Sequence, residues 1–404
     1  MTQTWLASEL GQEIIELAAT FPDALNGVTK LRAKFPEVTP DLITAAMTQA
    51  RLREKLSDRW GIDAGSLLLT QEGLEQASRP VVSQYRANWV SEKFGSGIHV
   101  LDLTCGLGFD AMAFAKAGHR VTGYEIDSEI ADMARHNLAG LSATVVTGDA
   151  TKVQLPAEYD LIFIDPARRD PQAARKSDGS TIRIFDPKRW SPSWDFITSL
   201  SQEKPILVKV APGIEDESIK DWDAQWISAD GDLVEAMLSW PGSGQRVATI
   251  LNSKTGGNTQ VEGGIKTSAQ QLGKWLVVPD AALIRAGALT PIAQRINGGL
   301  VNEHIAWLTS SDVHAIDSLV HDNQEHSMVF EIAKVTTLNE KVLTKALVEF
   351  PASALTIMTR GVTINIEALR RKVFKKKERT NPELVLAIYR EDSGPVALIC
   401  RRIC

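Results

Sequence analysis

From Trp5 to about Phe94 apolar residues recur at helical spacing, as in Leu10, Ile14, Leu17 and Ala18 and again in Ile43, Ala46, Met47 and Ala50. The pattern predicts an all-helical block over residues 1–94. Thr39, Pro40 and Asp41 combine an N-cap, a proline at the first helical position and an acidic first turn, so a helix begins there. Another helix runs from about Arg79 or Pro80 to Glu92 and stops at Gly95-Ser96-Gly97. After Gly97 the period changes. Short β-branched runs at 99–103, 120–125, 143–147, 159–165, 206–210 and 246–251 alternate with helical segments, which predicts a parallel sheet covered by helices on both faces. Residues 235–240 are a candidate further strand, as the antiparallel partner of 246–251, and Gly256-Gly257 and Gly263-Gly264 mark a hairpin or an exit. The domain expected over 95–275 is therefore α/β, followed by a helical linker at 276–327. The last block, 328–404, reads as a small α+β domain, with strands at 329–335, 354–358, 384–389 and 397–401 around a basic helix.

A chain of 404 residues has room for two or three such units. Lys plus Arg number 44 against 50 Asp plus Glu, a formal charge of −6, which excludes bulk coating of nucleic acid and requires any anion site to be local. Cys105, Cys400 and Cys404 are too few and too poorly spaced for a disulfide framework or a zinc site, and His304, His314, His321 and His326 do not present a tetrahedral set, so no metal is expected. The first basic residue is Lys30 and the apolar runs are only strand-length, so the expectation is a cytoplasmic protein without a membrane segment.

The strongest motif is His99-Val100-Leu101-Asp102-Leu103-Thr104-Cys105-Gly106-Leu107-Gly108-Phe109-Asp110, a buried-type strand entering a Gly-x-Gly turn and a helix. About twenty residues later a second strand ends in Glu125, where a carboxylate can accept both ribose hydroxyls. Asp110 sits where it would repel a pyrophosphate, which argues against a dinucleotide. A ligand with ribose, adenine and an amino-acid end fits better: S-adenosyl-L-methionine. Asp149, after the third strand, is placed to read the adenine amine, and Asp165-Pro166 ends the fourth strand at the sheet's carboxyl edge.

These four points resemble the class I S-adenosylmethionine-dependent methyltransferases over about residues 97–252, with a Rossmann-like sheet implied. Asp102, Thr104, Gly106, Gly108, Glu125 and Asp149 fall on the cofactor motifs, and Asp165, Pro166 and Arg168 on the motif at the reacting centre. Asp165-Pro166-Ala167-Arg168 is similar to the Asp/Asn-Pro-Pro-aromatic motif of enzymes that methylate exocyclic amines of bases, departing from it at Ala167 and Arg168. The first motif is similar to that of trimethylguanosine synthases and tRNA guanine-N2 methyltransferases. Asp-Pro-Ala-Arg also resembles the RNA uracil-C5 enzymes, but their nucleophilic cysteine has no counterpart in a suitable loop.

Positive charge collects in two places. Between Ala167 and Trp190 seven cations, Arg168, Arg169, Arg175, Lys176, Arg183, Lys188 and Arg189, stand against three aspartates, a net +4. Arg168, Trp190 and Trp194 are candidates to stack on an unpaired base. Arg360 precedes the C-terminal basic helix, expected from Ile366 to about Lys377, where Arg370, Arg371, Lys372, Lys375, Lys376, Lys377 and then Arg379 face two glutamates, a net +5. This end resembles the THUMP-like domain of certain bacterial class I methyltransferases, which implies RNA contact, in tRNA or rRNA. The alternatives are a small-molecule or protein methyltransferase, a non-catalytic RNA-binding protein, or basic segments that are merely solvated. Glu235, in an apolar context, is a further site candidate.

Overall fold

The computed structural model describes residues 2–152, 158–167, 186–322, 327–374 and 382–403. The chain divides into two compact units, residues 1–223 with 236–243 and residues 224–235 with 244–404.

The first unit opens with six helices, α1 (Thr2–Leu6), α2 (Glu9–Ala19), α3 (Ala24–Lys34), α4 (Pro40–Trp60), α5 (Gln71–Gln76) and α6 (Pro80–Phe94). Their boundaries have local causes. The Ser8 hydroxyl accepts from the Gly11 amide to cap α2, while Pro40 starts α4 although the Thr39 hydroxyl makes no capping bond. Ile14, Ile15, Ala18, Leu31, Ile43, Ala46, Met47 and Leu56 form their core. Leu10, expected inside, is 37% exposed: the buried face of α2 is centred on the Ile14-Ile15 pair, which turns Leu10 to its edge.

The sheet of this unit follows: β1 (His99–Asp102), α7 (Phe109–Lys116), β2 (Arg120–Glu125), α8 (Ser128–Asn137), β3 (Ala143–Thr147), β4 (Leu161–Ile164), α9 (Trp194–Leu200) and β5 (Ile206–Val210). β1 pairs in parallel with β2 and β4, β2 with β3, and β4 with β5. Every residue of β1, β4 and β5 is buried, as strands covered on both faces require. Two strands connect the units in sequence, β6 (Asp223–Ala229) and β7 (Asp232–Trp240). Residues 236–240 of β7 run antiparallel to β5, so its partner is not 246–251 as the sequence suggested.

In the second unit β8 (Arg246–Leu251) pairs in parallel with β6 and antiparallel with β9 (Asn258–Glu262), completing the expected glycine-rich hairpin. Then come β10 (Trp275–Pro279), α10 (Ala281–Arg285), α11 (Thr290–Arg295), β11 (Gly299–Asn302), β12 (Ile305–Ser310), α12 (Val313–Asp322), β13 (Ser327–Thr337), α13 (Glu340–Val348), β14 (Ala354–Arg360), α14 (Ile366–Val373), β15 (Glu383–Glu391) and β16 (Gly394–Arg402). Their seven strands form one sheet in the order β11-β12-β10-β13-β16-β15-β14. This corrects the helical-linker reading of 276–327. Three short helices are there, but β10, β11 and β12 are hydrogen-bonded into the same sheet as the C-terminal strands, because the apolar runs at 275–279 and 305–310 can be buried only against them. Replacing Trp307, 1% exposed and edge-on to Tyr389 at 6.4 Å, by Ala is expected to destabilise this unit by about 3–5 kcal/mol, read by denaturant unfolding; an unchanged midpoint would restore the linker reading.

Candidate cofactor and active site

The carboxyl ends of β1, β2 and β4 carry the site. The turn after β1 needs positive φ at Gly106 (+52°) and Gly108 (+88°), and a side chain at Gly106 would meet no protein atom within 4 Å, which leaves clear space over the turn. Glu125 closes it from β2. One carboxylate oxygen accepts from the Gly106 amide at 3.1 Å and the other from the Asp127 amide at 3.0 Å. Ile126, 71% exposed beside Glu125, places an apolar surface at the same edge that sequence reasoning passed over; its signal was a hydrophobe between two acids. Asp149 accepts from the Thr151 amide and hydroxyl and pairs with Lys152 at 3.2 Å; those hydrogen bonds from Thr151 lower its pKa.

Asp102 is 1% exposed. Its Oδ1 accepts from the Thr104 amide at 3.1 Å, whereas its Oδ2 is buried without a hydrogen-bond partner among the described residues. Burial, followed by the charges of Asp110, Asp165 and Glu125, pushes its pKa well above the ordinary carboxylate value. A buried orphan oxygen of this kind suits a ligand cation.

Asp110 does not face the turn as the sequence argument supposed. Its carboxylate accepts from the Ser78 hydroxyl at 2.9 Å and pairs with the fully buried Arg86 of α6, whose guanidinium also lies over the Phe163 ring at 5.2 Å. Burial would raise its pKa, yet Arg86 and then Lys209 outweigh it and the pKa is lowered. Repulsion of a pyrophosphate by Asp110 therefore falls away as an argument about the ligand.

Asp165 follows β4. Its amide donates to the Thr104 hydroxyl at 2.7 Å, so Thr104 ties the glycine turn to the acidic motif. Its Oδ2 accepts from Lys209 Nζ at 2.5 Å. Lys209, with a side chain 9% exposed, was missed from sequence, although a lysine inside the otherwise apolar Ile206–Val210 was a visible signal. Pro166 is buried, and Ala167 forms a two-hydrogen-bond bridge to Ser191 that brings the residues after Lys188 and Arg189 beside the Asp165-Pro166 motif. Trp190 and Trp194 are not base-stacking platforms: 5% and 9% exposed, they belong to an aromatic row through Trp222 and Trp240, with centroid spacings of 6.1, 5.4 and 5.7 Å.

Arg168, Arg169 and Arg175 lie outside the described residues, as do Lys375, Lys376 and Lys377. Lys188 and Arg189 are exposed just before Ser191. In the second unit Arg360 is exposed at the end of β14 and Glu235 is buried on β7. The basic helix ends at Val373 rather than near Lys377. On it Arg370 pairs with Glu367 at 2.7 Å, Arg371 donates to the Glu367 carbonyl at 3.4 Å, and Lys372 pairs with Glu340 at 2.7 Å. Cys105 and Cys400 are both buried and burial raises both thiols, Cys400 to about 12. No group of three or more His, Cys, Asp or Glu among the described residues could hold a metal, and no described helix is long and apolar enough to cross a membrane.

A methyltransferase-domain profile matches residues 100–174, a THUMP-domain-like profile residues 328–402, and a domain of unknown function residues 2–55. An uncharacterized S-adenosylmethionine-dependent methyltransferase of Mycobacterium tuberculosis is 28% identical over 389 residues, covering 93% of this chain and 99% of its own. A 23S rRNA uracil-C5 methyltransferase of Pyrococcus horikoshii is 35% identical over 80 residues, 19% of each chain. A crystal structure from Porphyromonas gingivalis W83, of a candidate methyltransferase, matches in fold with a TM-score of 0.67 at 20% identity, covering 97% of this chain and 99% of that one.

The residues present fit the cofactor of this family. Asp102 Oδ2 would take its ammonium, Glu125 its ribose hydroxyls, and Ile126 and Asp149 its adenine end. Asp102→Asn is expected to weaken S-adenosylhomocysteine binding by about 2 kcal/mol, roughly thirtyfold, in titration calorimetry. Because the Asp102 pKa is raised and a bound ammonium favours the ionised form, affinity should rise with pH through that raised pKa with release of a proton, and the Asn variant should lose this slope. A slope unchanged in the variant would remove Asp102 from this role. The matching domains and the full-length relative support a class I S-adenosylmethionine-dependent methyltransferase with a C-terminal THUMP-like domain.

Proposed function

We propose that the protein methylates an exocyclic amine of a base in a structured RNA such as tRNA or rRNA. The observation that carries the reading is the Asp165–Lys209 pair beside the cofactor turn. The cofactor supplies an electrophilic methyl group. An aromatic amine is a poor nucleophile because its lone pair is delocalised into the ring; a carboxylate oxygen that accepts one N–H turns the lone pair toward the methyl carbon. Lys209 holds Oδ2 of Asp165 and the Thr104 hydroxyl holds its amide, so the carboxylate is positioned before the acceptor arrives.

RNA as the acceptor is supported by the exposed cations Lys188, Arg189, Arg360 and Arg371, by the THUMP-like domain, and by the stretch shared with a 23S rRNA methyltransferase. An amine is favoured over a pyrimidine carbon as the acceptor atom because, among the described residues, the cysteines Cys105 and Cys400 are buried thiols whose pKa burial raises, which does not suit a covalent attack on a ring. A small-molecule or protein acceptor has one observation in its favour: Arg370 and Lys372 already have carboxylate partners, which reduces the charge that α14 can offer a phosphate.

With methyl-labelled cofactor and separate bacterial tRNA, rRNA, protein and metabolite fractions, label is expected in an RNA fraction. Asp165→Ala should lower transfer about a hundredfold with S-adenosylhomocysteine affinity unchanged. Label confined to protein or metabolites would overturn the RNA reading, and full activity of the variant would overturn the role of Asp165. Replacing Arg360 and Arg371 together by Ala should weaken tRNA binding and reduce the slope of log affinity against log salt by about 2; an unchanged slope would exclude the C-terminal domain from RNA contact.

A further inference from the structure

The helices before residue 77 make none of the polar contacts just described, yet they reach the cofactor turn through its middle. Leu107, between the two glycines, is 5% exposed and lies in the core built by α1–α5, and Phe109 packs on the same core, edge-on to Trp60 at 6.3 Å. The fit is tight. A methyl group at Gly73 of α5 would fall 2.3 Å from Leu107 Cδ1. Asn137, the last residue of α8 and 8% exposed, closes the circuit with its amide: Nδ2 donates to the Leu107 carbonyl and to the Leu68 carbonyl, both at 3.0 Å, and Oδ1 accepts from the Leu68 amide at 2.8 Å. Leu68 itself, fully buried, sits in the segment between α4 and α5, where Gln49 of α4 exchanges two hydrogen bonds with Leu69. Arg53 of α4 donates to the carbonyls of Ser66 and Leu67.

We propose that the N-terminal helical block is a positioning element of the cofactor site, with Asn137 as the residue that couples the 64–69 segment to the Gly106-Leu107-Gly108 turn. Both Nδ2 protons of Asn137 are committed, one to each side, so the turn and the segment cannot move independently without leaving a buried carbonyl unpaired. The turn's backbone faces the cofactor while its one side chain is gripped from behind. Ordering of the turn by the cofactor therefore tightens the helical block, and by reciprocity any event that loosens the block weakens the cofactor. This assigns a role to the region matched by the domain of unknown function and is independent of the methyl acceptor.

The test uses the full chain and S-adenosylhomocysteine alone. In the wild type, hydrogen exchange is expected to slow on adding it not only at 102–108 and 125–127 but also at 64–76 and in the C-terminal half of α4. Asn137→Ala should lower affinity by about tenfold in calorimetry and abolish the slowing in α4 and at 64–76 while the turn still responds. Gly73→Ala, which displaces Leu107 without touching Asn137, should lower affinity in the same way. A wild-type response confined to the turn and 125–127, or wild-type affinity in both variants, would overturn the proposal. A purely structural brace lowers the unfolding midpoint in the variants but leaves the distal exchange response intact, which also counts against it.

Discussion

Four carboxylates, Asp102, Asp110, Glu125 and Asp165, meet around the carboxyl ends of three strands, close enough that the charges of the other three add to burial in raising the pKa of Asp102. Each is accommodated differently. Asp110 is neutralised by the buried Arg86 with help from Ser78, Glu125 spreads its charge over two backbone amides, and Asp165 is held by Lys209. No described cation pairs with Asp102, and burial, followed by the charges of Asp110, Asp165 and Glu125, raises its pKa. Two cations, Arg86 and Lys209, thus face four carboxylates, and the buried Oδ2 of Asp102 is where a cofactor's ammonium would add positive charge.

The same arrangement explains why the N-terminal helices are more than a cover. Arg86 on α6 and Ser78 just before it provide the counter-charge and hydrogen bond for Asp110, and the core of α1–α5 takes Leu107 and Phe109 from the turn. A glycine turn by itself is loose, because glycine loses more backbone freedom on ordering than other residues. Here that cost is offset by apolar burial behind the turn and by one amide that fills its hydrogen-bonding capacity.

Charge on the acceptor side is organised on a smaller scale than the net −6 suggests. The counts of +4 and +5 for the two basic stretches overstate what is available, since Arg370 and Lys372 are paired with glutamates of their own unit and several of the other cations lie outside the described residues. Exposed ion pairs of this kind are weak, about 0.2–1 kcal/mol, so a phosphate could compete with Glu367 or Glu340 at modest cost. The Ala167–Ser191 bridge sets Ser191, which closely follows Lys188 and Arg189, against the residue next to Asp165-Pro166.

The order of helices and strands as far as β5, the glycine turn, and the acids at the ends of β1, β2, β3 and β4 were legible in the sequence, because period and strand-end position are local properties. So was the resemblance of the C-terminal end to a THUMP-like domain. What the side chains do to one another was not legible. Whether Asp110 points at a ligand or at Arg86, whether Trp190 and Trp194 meet a base or Trp222, and whether 276–327 is a linker or three strands of a sheet depend on partners 24 or more residues away in most of these cases. Lys209 shows the boundary best: its sequence marks it only as a charge in a buried strand, and tertiary structure alone sets it 2.5 Å from Asp165, since burial requires a counter-ion and folding determines which one is within reach.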